Sequence, residues 1–153
     1  MSFTFLNELP TPAEIQKSYP LSAELTALKK ERDQMIGNVI TGKDDRFLLI
    51  IGPCSADNED SVCDYISRLT PIQEKVKDKV IIIPRIYTNK PRTTGDGYKG
   101  IVHQPDPEKS EDLLGGIIAI RKLHMDAMRE VGMPAADEML YPENYRYLDD
   151  VLS

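Results

Sequence analysis

The sequence lacks several features that would place it in a common functional class. It contains no tryptophan, two cysteines and two histidines in 153 residues, and its apolar runs are far too short to span a membrane. A net charge of −6, with no basic run to offset it, argues against nucleic-acid binding. The first residues lack the basic and long apolar regions of a signal peptide, so we expect a cytoplasmic protein.

Common catalytic and structural motifs are absent as well. Cys54 and Cys63 are too few for a disulfide framework, and we expect both to be reduced. There is no phosphate-binding G-x-x-x-x-G-K-[ST] loop, no G-x-S-x-G elbow and no Ser-His-Asp order. With 41% apolar and 29% charged residues, the composition is that of a globular protein.

Two helices are predicted before the first strand. Thr11 and Glu14 form a capping-box pattern around Pro12, which predicts a short helix to about Ser18. Ser22 can cap a second, amphipathic helix that stops near residue 41. Residues 1–46 therefore form a helical extension that must pack on another part of the molecule.

Three strand–helix units are predicted after this extension. The apolar runs Phe47–Ile51 and Val80–Tyr87 are typical of parallel strands buried on both faces, although Pro84 indicates a bulge or strand end. Met133–Leu140 is predicted as a short third strand. The three following helices begin within or just after residues 56–60, 110–112 and 142–144, and Pro71 is expected to kink or split the first of them. This alternation predicts an α/β fold, either a doubly wound sheet or part of a (β/α) barrel.

Groups capable of chemistry follow the predicted strands, where α/β proteins hold their sites. Cys54 and Ser55 follow the first strand, although a small buried thiol in a turn would look the same. Arg85 lies in an otherwise apolar strand, so it needs an anionic partner. That partner is either Glu138, in a structural ion pair, or the carboxylate or phosphate of a ligand.

The loop after the second strand favours a bound anion. The segment from Lys90 to Gly95 supplies two cations, two hydroxyl groups and a glycine within six residues, although a solvated basic loop has the same composition. Cys54 and Glu138 are possible metal ligands, but two ligands do not make a site. His103 lies in the long loop and can reach the site, whereas His124 is predicted to pack on a helix face.

These residues together resemble one enzyme family. The chain resembles class I 3-deoxy-D-arabino-heptulosonate 7-phosphate (DAHP) synthases, which condense phosphoenolpyruvate with erythrose 4-phosphate at the entry to the shikimate pathway. The resemblance covers essentially the whole chain and rests most on the G-P-C-S and K-P-R-T-T motifs, which are highly specific. The matching segments are Ile50-Ile51-Gly52-Pro53-Cys54-Ser55, Arg85-Ile86-Tyr87, Lys90-Pro91-Arg92-Thr93-Thr94, Tyr98-Lys99-Gly100 and Pro134-Ala135-Ala136-Asp137-Glu138.

The resemblance implies a fold and a set of roles. It implies an α/β fold, the amino-terminal portion (about three β/α units) of a (β/α)8 TIM-type barrel, in residues 47–153. Residues 1–46 would serve oligomer contacts and the binding of an aromatic amino acid effector. Cys54 looks like a ligand of a divalent metal of the Mn, Fe or Co type. The substrate contacts look like Arg85, Lys90 and Glu138 for phosphoenolpyruvate, with Arg85 and Lys90 catalytic, and Pro91, Arg92 and Thr93 for erythrose 4-phosphate.

The departure from the family lies in what the chain does not contain. The family's remaining metal ligands come from later strands, and neither His103 nor His124 matches them. We therefore expect a truncated aldol-type transferase that forms homo-oligomers and is inactive alone. One alternative is a non-catalytic half-barrel that associates with a full-length synthase and modulates it, and another is a free-standing anion-binding module.

Overall fold

The computed structural model of the chain describes residues 8–90 and 96–153. In chain order the elements are helices α1 (Pro12–Ser18) and α2 (Ala23–Ile40), strand β1 (Phe47–Ile51), helix α3 (Glu59–Val76), strand β2 (Val80–Pro84), helix α4 (Leu113–Val131) and a 3-10 helix (Pro142–Tyr147). None of the helices in these ranges is both long and apolar enough to cross a membrane.

The two helices of the extension form as predicted, with the predicted caps. The Thr11 hydroxyl accepts a hydrogen bond from the Glu14 backbone N–H, and the Glu14 carboxylate accepts from the Thr11 N–H, which completes the capping box. The Ser22 hydroxyl accepts from the Leu25 N–H at the start of α2. Local hydrogen bonding therefore fixes both helix starts.

Strands β1 and β2 form a parallel pair joined by α3. Their register places Phe47 opposite Val80 and Ile51 opposite Pro84. Pro71 was expected to kink or split α3, and splitting is wrong because the helix runs unbroken from Glu59 to Val76. Leu69 in the core and the Gln73 side chain on β2 hold the helix on both sides of the proline.

Strand β2 is buried as predicted, but β1 is not. The Ile81, Ile82 and Ile83 residues are at most 4% exposed, whereas Phe47 is 67% and Ile50 57% exposed. The prediction that β1 is buried on both faces is therefore wrong. Within the described residues β1 pairs only with β2, so its outer edge is uncovered.

The outer edge of β2 is covered by side chains where a third strand was expected. The Gln73 side chain donates to the Val80 carbonyl oxygen at 3.0 Å and accepts from the Ile82 N–H at 2.6 Å. The Arg32 guanidinium donates to the Ile82 carbonyl oxygen at 2.7 Å. These contacts satisfy backbone groups that would otherwise be buried without partners.

The prediction of a third strand over Met133–Leu140 is wrong for the described residues, since this segment forms a single parallel bridge between Arg85 and Ala136. The Ala136 N–H donates to the Pro84 carbonyl oxygen, and the Ala136 carbonyl oxygen accepts from the Ile86 N–H. The preceding part of the β2 edge is already occupied by side chains, which leaves little edge to pair with. The missing N–H of Pro84 points to this outer edge, so β2 ends there as expected.

The core lies between β2 and the helices α3 and α4. Helix α4 begins at its cap Asp112 and ends at Gly132, whose φ of 65° suits glycine. Ile117, Ile120 and His124 are buried on the inner side of this helix, but Leu113 is exposed because it lies at the first, open turn. The principal core residues are Val62, Ile66, Leu69, Ile82, Ile86, Ile117, Ile120, Leu123, Ala127 and Met128.

The last segment docks the extension onto the rest of the molecule. The predicted final helix is a 3-10 helix followed by a turn, in which the Val151 N–H donates to the Leu148 carbonyl oxygen. Arg121, fully buried on α4, forms an ion pair with Asp150 and donates to the carbonyl oxygens of Tyr19 and Tyr147. One guanidinium thus joins α4, the link between α1 and α2, and the carboxyl-terminal segment.

Candidate functional site

The candidate site lies where the chain leaves β1, β2 and the bridging residue Ala136. The close approach of the strand ends depends on Gly52, because a Cβ atom there would lie 2.0 Å from the Arg85 carbonyl oxygen. The Tyr87 carbonyl oxygen accepts from the Ala56 N–H at 2.9 Å, which fixes the turn after β1 against the segment after β2. Backbone contacts therefore bring the predicted site residues together.

Arg85 is at the centre of this site. Its guanidinium forms an ion pair with the Glu138 carboxylate and donates to the Pro53 carbonyl oxygen at 2.6 Å. The same group lies 5.1 Å from the centroid of the Tyr87 ring. The structural ion pair therefore forms, which is one of the two alternatives for Arg85. The Arg85 side chain is 25% exposed and the Glu138 side chain 40% exposed. Solvent, and so a ligand, can reach both groups.

Lys90 extends the same cluster towards the turn after β1. Its ammonium nitrogen lies 3.1 Å from the Cys54 sulfur and 3.4 Å from the Cys54 carbonyl oxygen. It also lies 5.9 Å from the centroid of the Tyr87 ring, so Arg85 and Lys90 both contact this aromatic side chain. Among the side chains of this cluster that solvent reaches, Arg85 and Lys90 supply two cations and Glu138 supplies one carboxylate, an arrangement that suits an anionic ligand.

Other residues with predicted roles lie elsewhere or outside the described ranges. Pro91, Arg92 and Thr93 fall among residues 91–95, so their predicted substrate contacts stay predictions. His124 is buried, as expected for a helix-packing residue. The His103 ring lies edge-on to Tyr141, with the ring centroids 5.4 Å apart, and no described hydrogen bond joins its side chain to Arg85 or Lys90.

The described residues do not fit a complete metal site. They contain no group of three or more His, Cys, Asp or Glu side chains that could hold a metal ion. The charged neighbour of the exposed Cys54 sulfur is the Lys90 ammonium group rather than a second acidic ligand. These residues therefore do not form a metal site by themselves.

The second thiol has a different environment. Both cysteines are free, as predicted, but Cys63 lies partly buried on α3. Burial raises the pKa of the Cys63 thiol to about 11, and the negative charges of Glu130 and Glu59 contribute to the shift. Near pH 7 the Cys63 thiol is therefore protonated, which disfavours nucleophilic chemistry at this position.

Reasoning from the sequence missed two parts of the site. Tyr87, which contacts both cations, was not singled out, although it is two residues from Arg85 and three from Lys90. The second part is a buried contact between Thr88 and Asp137 beneath the cluster. Alternation along the segment after β2 would have placed Arg85 and Tyr87 on one side, but no sequence pattern indicated the pairing of Thr88 with Asp137.

The chain is similar to known proteins over most of its length. The model of the family described as "DAHP synthetase I family" matches residues 14–153. A phospho-2-dehydro-3-deoxyheptonate aldolase of Haemophilus influenzae is 38% identical over 97% of this chain, and the Tyr-sensitive enzyme of Escherichia coli is 33% identical over 95%. The chain spans 40% of the length of each of these relatives.

A solved structure shows the same likeness in three dimensions. The phospho-2-dehydro-3-deoxyheptonate aldolase of Francisella tularensis matches with a TM-score of 0.87 at 27% sequence identity. The match covers 99% of this chain and 44% of that protein. From the family match over residues 14–153 and this structural likeness, we conclude that the chain belongs to the DAHP synthetase I family.

Proposed function

We propose that this chain carries the amino-terminal part of the active site of a phospho-2-dehydro-3-deoxyheptonate aldolase. This aldol-type transferase (3-deoxy-7-phosphoheptulonate synthase) condenses phosphoenolpyruvate with erythrose 4-phosphate. The observation that carries the proposal is the cluster of Arg85, Lys90 and Glu138 beside Cys54, where the chain leaves neighbouring strands. The family relatives, which are aldolases of this name, support it.

In this proposal the two cations bind and orient phosphoenolpyruvate. Arg85 has a planar fork of donors suited to a carboxylate or phosphate, and Lys90 adds a compact charge. Glu138 and the Pro53 carbonyl oxygen hold the Arg85 guanidinium in place, while both cations contact Tyr87. A bound phosphoenolpyruvate has its nucleophilic enol carbon held near the aldehyde of erythrose 4-phosphate, which lowers the entropic part of the activation barrier. Orienting the substrate in this way is the catalytic role that we assign to Arg85 and Lys90.

The residues after Lys90 and the turn after β1 carry our candidates for contacts with the second substrate and the metal. Pro91, Arg92 and Thr93 follow Lys90 directly, so they are our candidates for contacts with erythrose 4-phosphate. Cys54 is our candidate for one ligand of a divalent metal of the Mn, Fe or Co type. A metal site needs further ligands from outside the described residues, because these residues contain no sufficient group.

The proposed architecture is about three β/α units of a (β/α)8 barrel preceded by a helical extension of residues 1–46. The open outer edge of β1 supports this proposal, since a barrel has no free edges and another strand would pair there. We assign the extension to contacts between subunits of a homo-oligomer and to an aromatic amino acid effector. Relatives named as Tyr-sensitive and Phe-sensitive support the effector.

Binding of phosphoenolpyruvate to the purified chain tests the site. We expect isothermal titration calorimetry to detect binding by the wild type, and Arg85→Gln to weaken it by about tenfold because a charge-assisted contact is lost. Arg68→Gln is the matched control, since Arg68 is an exposed arginine of α3 paired with Asp64. Absence of binding by the wild type, or equal losses in both variants, would contradict the proposal.

The exposed apolar strand β1 favours a second candidate function, that of a partner which associates with a full-length synthase and modulates it. Phe47 and Ile50 present apolar surface that a strand or subunit would cover. Mixing this chain with a full-length synthase, followed by size-exclusion chromatography and an activity assay, separates the two functions. Separate elution and unchanged activity would remove the second candidate.

A further inference from the structure

A buried polar network lies beneath the candidate site and has no role in the function proposed above. It consists of Thr88, which follows β2, Asp137, which follows the bridging residue Ala136, and His124 of α4. Thr88 and His124 are fully buried, and the Asp137 side chain is inaccessible as well. A carboxylate removed from water in this way is stable only when donors surround it.

The Asp137 carboxylate collects three hydrogen bonds. Its Oδ1 atom accepts from the Thr88 N–H at 3.1 Å and from the Glu138 N–H at 2.7 Å. Its Oδ2 atom accepts from the Thr88 hydroxyl group. The Nε2 atom of His124 lies 3.7 Å from Oδ2, and neither ring nitrogen has a hydrogen-bond partner among the described residues. The imidazole therefore lies beside the carboxylate on the α4 side but donates no hydrogen bond to it.

The donors come from the two segments that carry the candidate site. Thr88 lies two residues before Lys90, and Asp137 directly precedes Glu138. The Lys90 N–H in turn donates to the Lys99 carbonyl oxygen at 3.0 Å, which fixes the backbone on the far side of Thr88. The buried carboxylate thus reinforces the bridge between Arg85 and Ala136 in holding the segment that presents Lys90 against the segment that presents Glu138.

We propose that Asp137 is a positioning residue for anion binding, acting through Thr88 on Lys90 and through the Glu138 N–H on the Arg85–Glu138 ion pair. This inference rests on the proposed function, because it concerns how firmly the same site holds phosphoenolpyruvate. Arg85 and Lys90 bind one ligand tightly only when both side chains are held in place before the ligand arrives, and Glu138, on the other segment, holds the Arg85 guanidinium. Neither Thr88 nor Asp137 touches the ligand in this proposal.

The affinity for phosphoenolpyruvate in four variants tests the inference. Thr88→Val keeps the side-chain shape but removes the hydroxyl donor to the buried carboxylate, and we expect about tenfold weaker binding in calorimetry. Asp137→Asn keeps the size of the side chain but not its charge, and we expect a similar loss. Thr88→Ser retains the hydroxyl and should stay within about twofold of the wild type. Thr26→Val, on an exposed threonine of α2, is the matched control without effect on binding.

Circular dichroism melts of the same proteins show which variants fold cooperatively, and affinities are compared only among these. Asp137→Asn carries the test if Thr88→Val does not fold. Thr88→Ser keeps the hydroxyl contact but, like Thr88→Val, alters the packing of the side chain. Near-normal affinity in Thr88→Ser would therefore show that the hydroxyl contact, and not packing, supports binding. Unchanged affinity in the folded variants overturns this inference alone, whereas a wild type that does not bind phosphoenolpyruvate overturns the proposed function together with it.

Discussion

Strands β1 (Phe47–Ile51) and β2 (Val80–Pro84) are both five residues long, apolar and paired in register, yet their environments differ. Helix α3 packs on β2, and Ile82, which is 2% exposed, belongs to the core cluster that α3 and α4 share. Strand β1 leaves Ile50 57% exposed. The hydrophobicity of a strand therefore does not decide its burial, which depends on what covers its faces and edges.

The edges of the two strands show the same difference. Gln73, Arg32 and Ala136 bind the backbone groups on the outer edge of β2. Successive residues of a strand direct their backbone groups to opposite edges, and Ile51 faces β2, so Leu48 and Ile50 direct theirs outwards. An open apolar edge of this kind is an aggregation hazard unless another strand or chain covers it.

The largest expected difference between the two strands is the loss of stability when one isoleucine in each is replaced by alanine. Ile82→Ala should lower the free energy of unfolding by about 3 kcal/mol, because it leaves a cavity in the core. Ile50→Ala, the matched variant in β1, should cost less than about 1 kcal/mol because its side chain is already in solvent. Urea denaturation followed by circular dichroism measures both, and equal losses would show that β1 is as buried as β2 in solution.

A smaller effect is expected where the two strands end. Gly52→Ala places a Cβ atom 2.0 Å from the Arg85 carbonyl oxygen, so the strand ends must separate. We expect a loss of about 2 kcal/mol in the free energy of unfolding, together with weaker binding of phosphoenolpyruvate. Gly37→Ala in α2 is the control, because no atom lies within 4 Å of the added methyl group. That control should stabilise the protein slightly, and a tolerated Gly52→Ala would contradict the geometry of the site.

The covered edge of β2 can be opened by a single substitution. Gln73→Leu keeps the bulk of the side chain but leaves the Val80 carbonyl and the Ile82 N–H without their partner. We expect a loss of about 1–2 kcal/mol and faster hydrogen exchange at Ile82. Gln34→Leu, which removes an exposed amide that donates to Asn38 on the same helix, should change neither quantity. Unaltered exchange at Ile82 would argue against this edge contact.

The smallest effect on stability is expected at the open edge of β1. Ile50→Lys should change the free energy of unfolding by no more than about 0.5 kcal/mol, since the side chain is mainly exposed. It should also reduce self-association, which analytical ultracentrifugation measures, because a charge on a strand edge disfavours pairing with another chain. Ile82→Lys provides the contrast and should unfold the protein. A large destabilisation by Ile50→Lys would mean that β1 is covered in solution.

Patterns of local origin were predictable from the sequence. The capping box at Thr11 and Glu14, the cap at Ser22 and the glycine end of α4 depend on hydrogen bonds within a few residues, so their sequence signals hold. The position of Arg85 in an apolar strand likewise required an anionic partner, and Glu138 provides one.

Features that depend on distant residues were not predictable in this way. The third strand reduces to one bridge because Gln73 and Arg32, which lie on two helices, occupy the neighbouring edge. The contact between Thr88 and Asp137 joins segments 49 residues apart and leaves no periodic signal. The lengths of strands and the partners of buried polar groups are set by packing, which single-residue preferences do not encode.

The sequence by itself determined the order of the helices and strands from α1 to α4, the turn after β1 and the residue types that suit anion binding. The tertiary structure decided that β2 is enclosed while β1 is open, and that Arg85, Lys90 and Glu138 meet around Tyr87. The physical reason is the range of the interactions. Caps, turns and hydrophobic periods act over a few residues, whereas burial and charge pairing depend on segments that only the folded chain brings together.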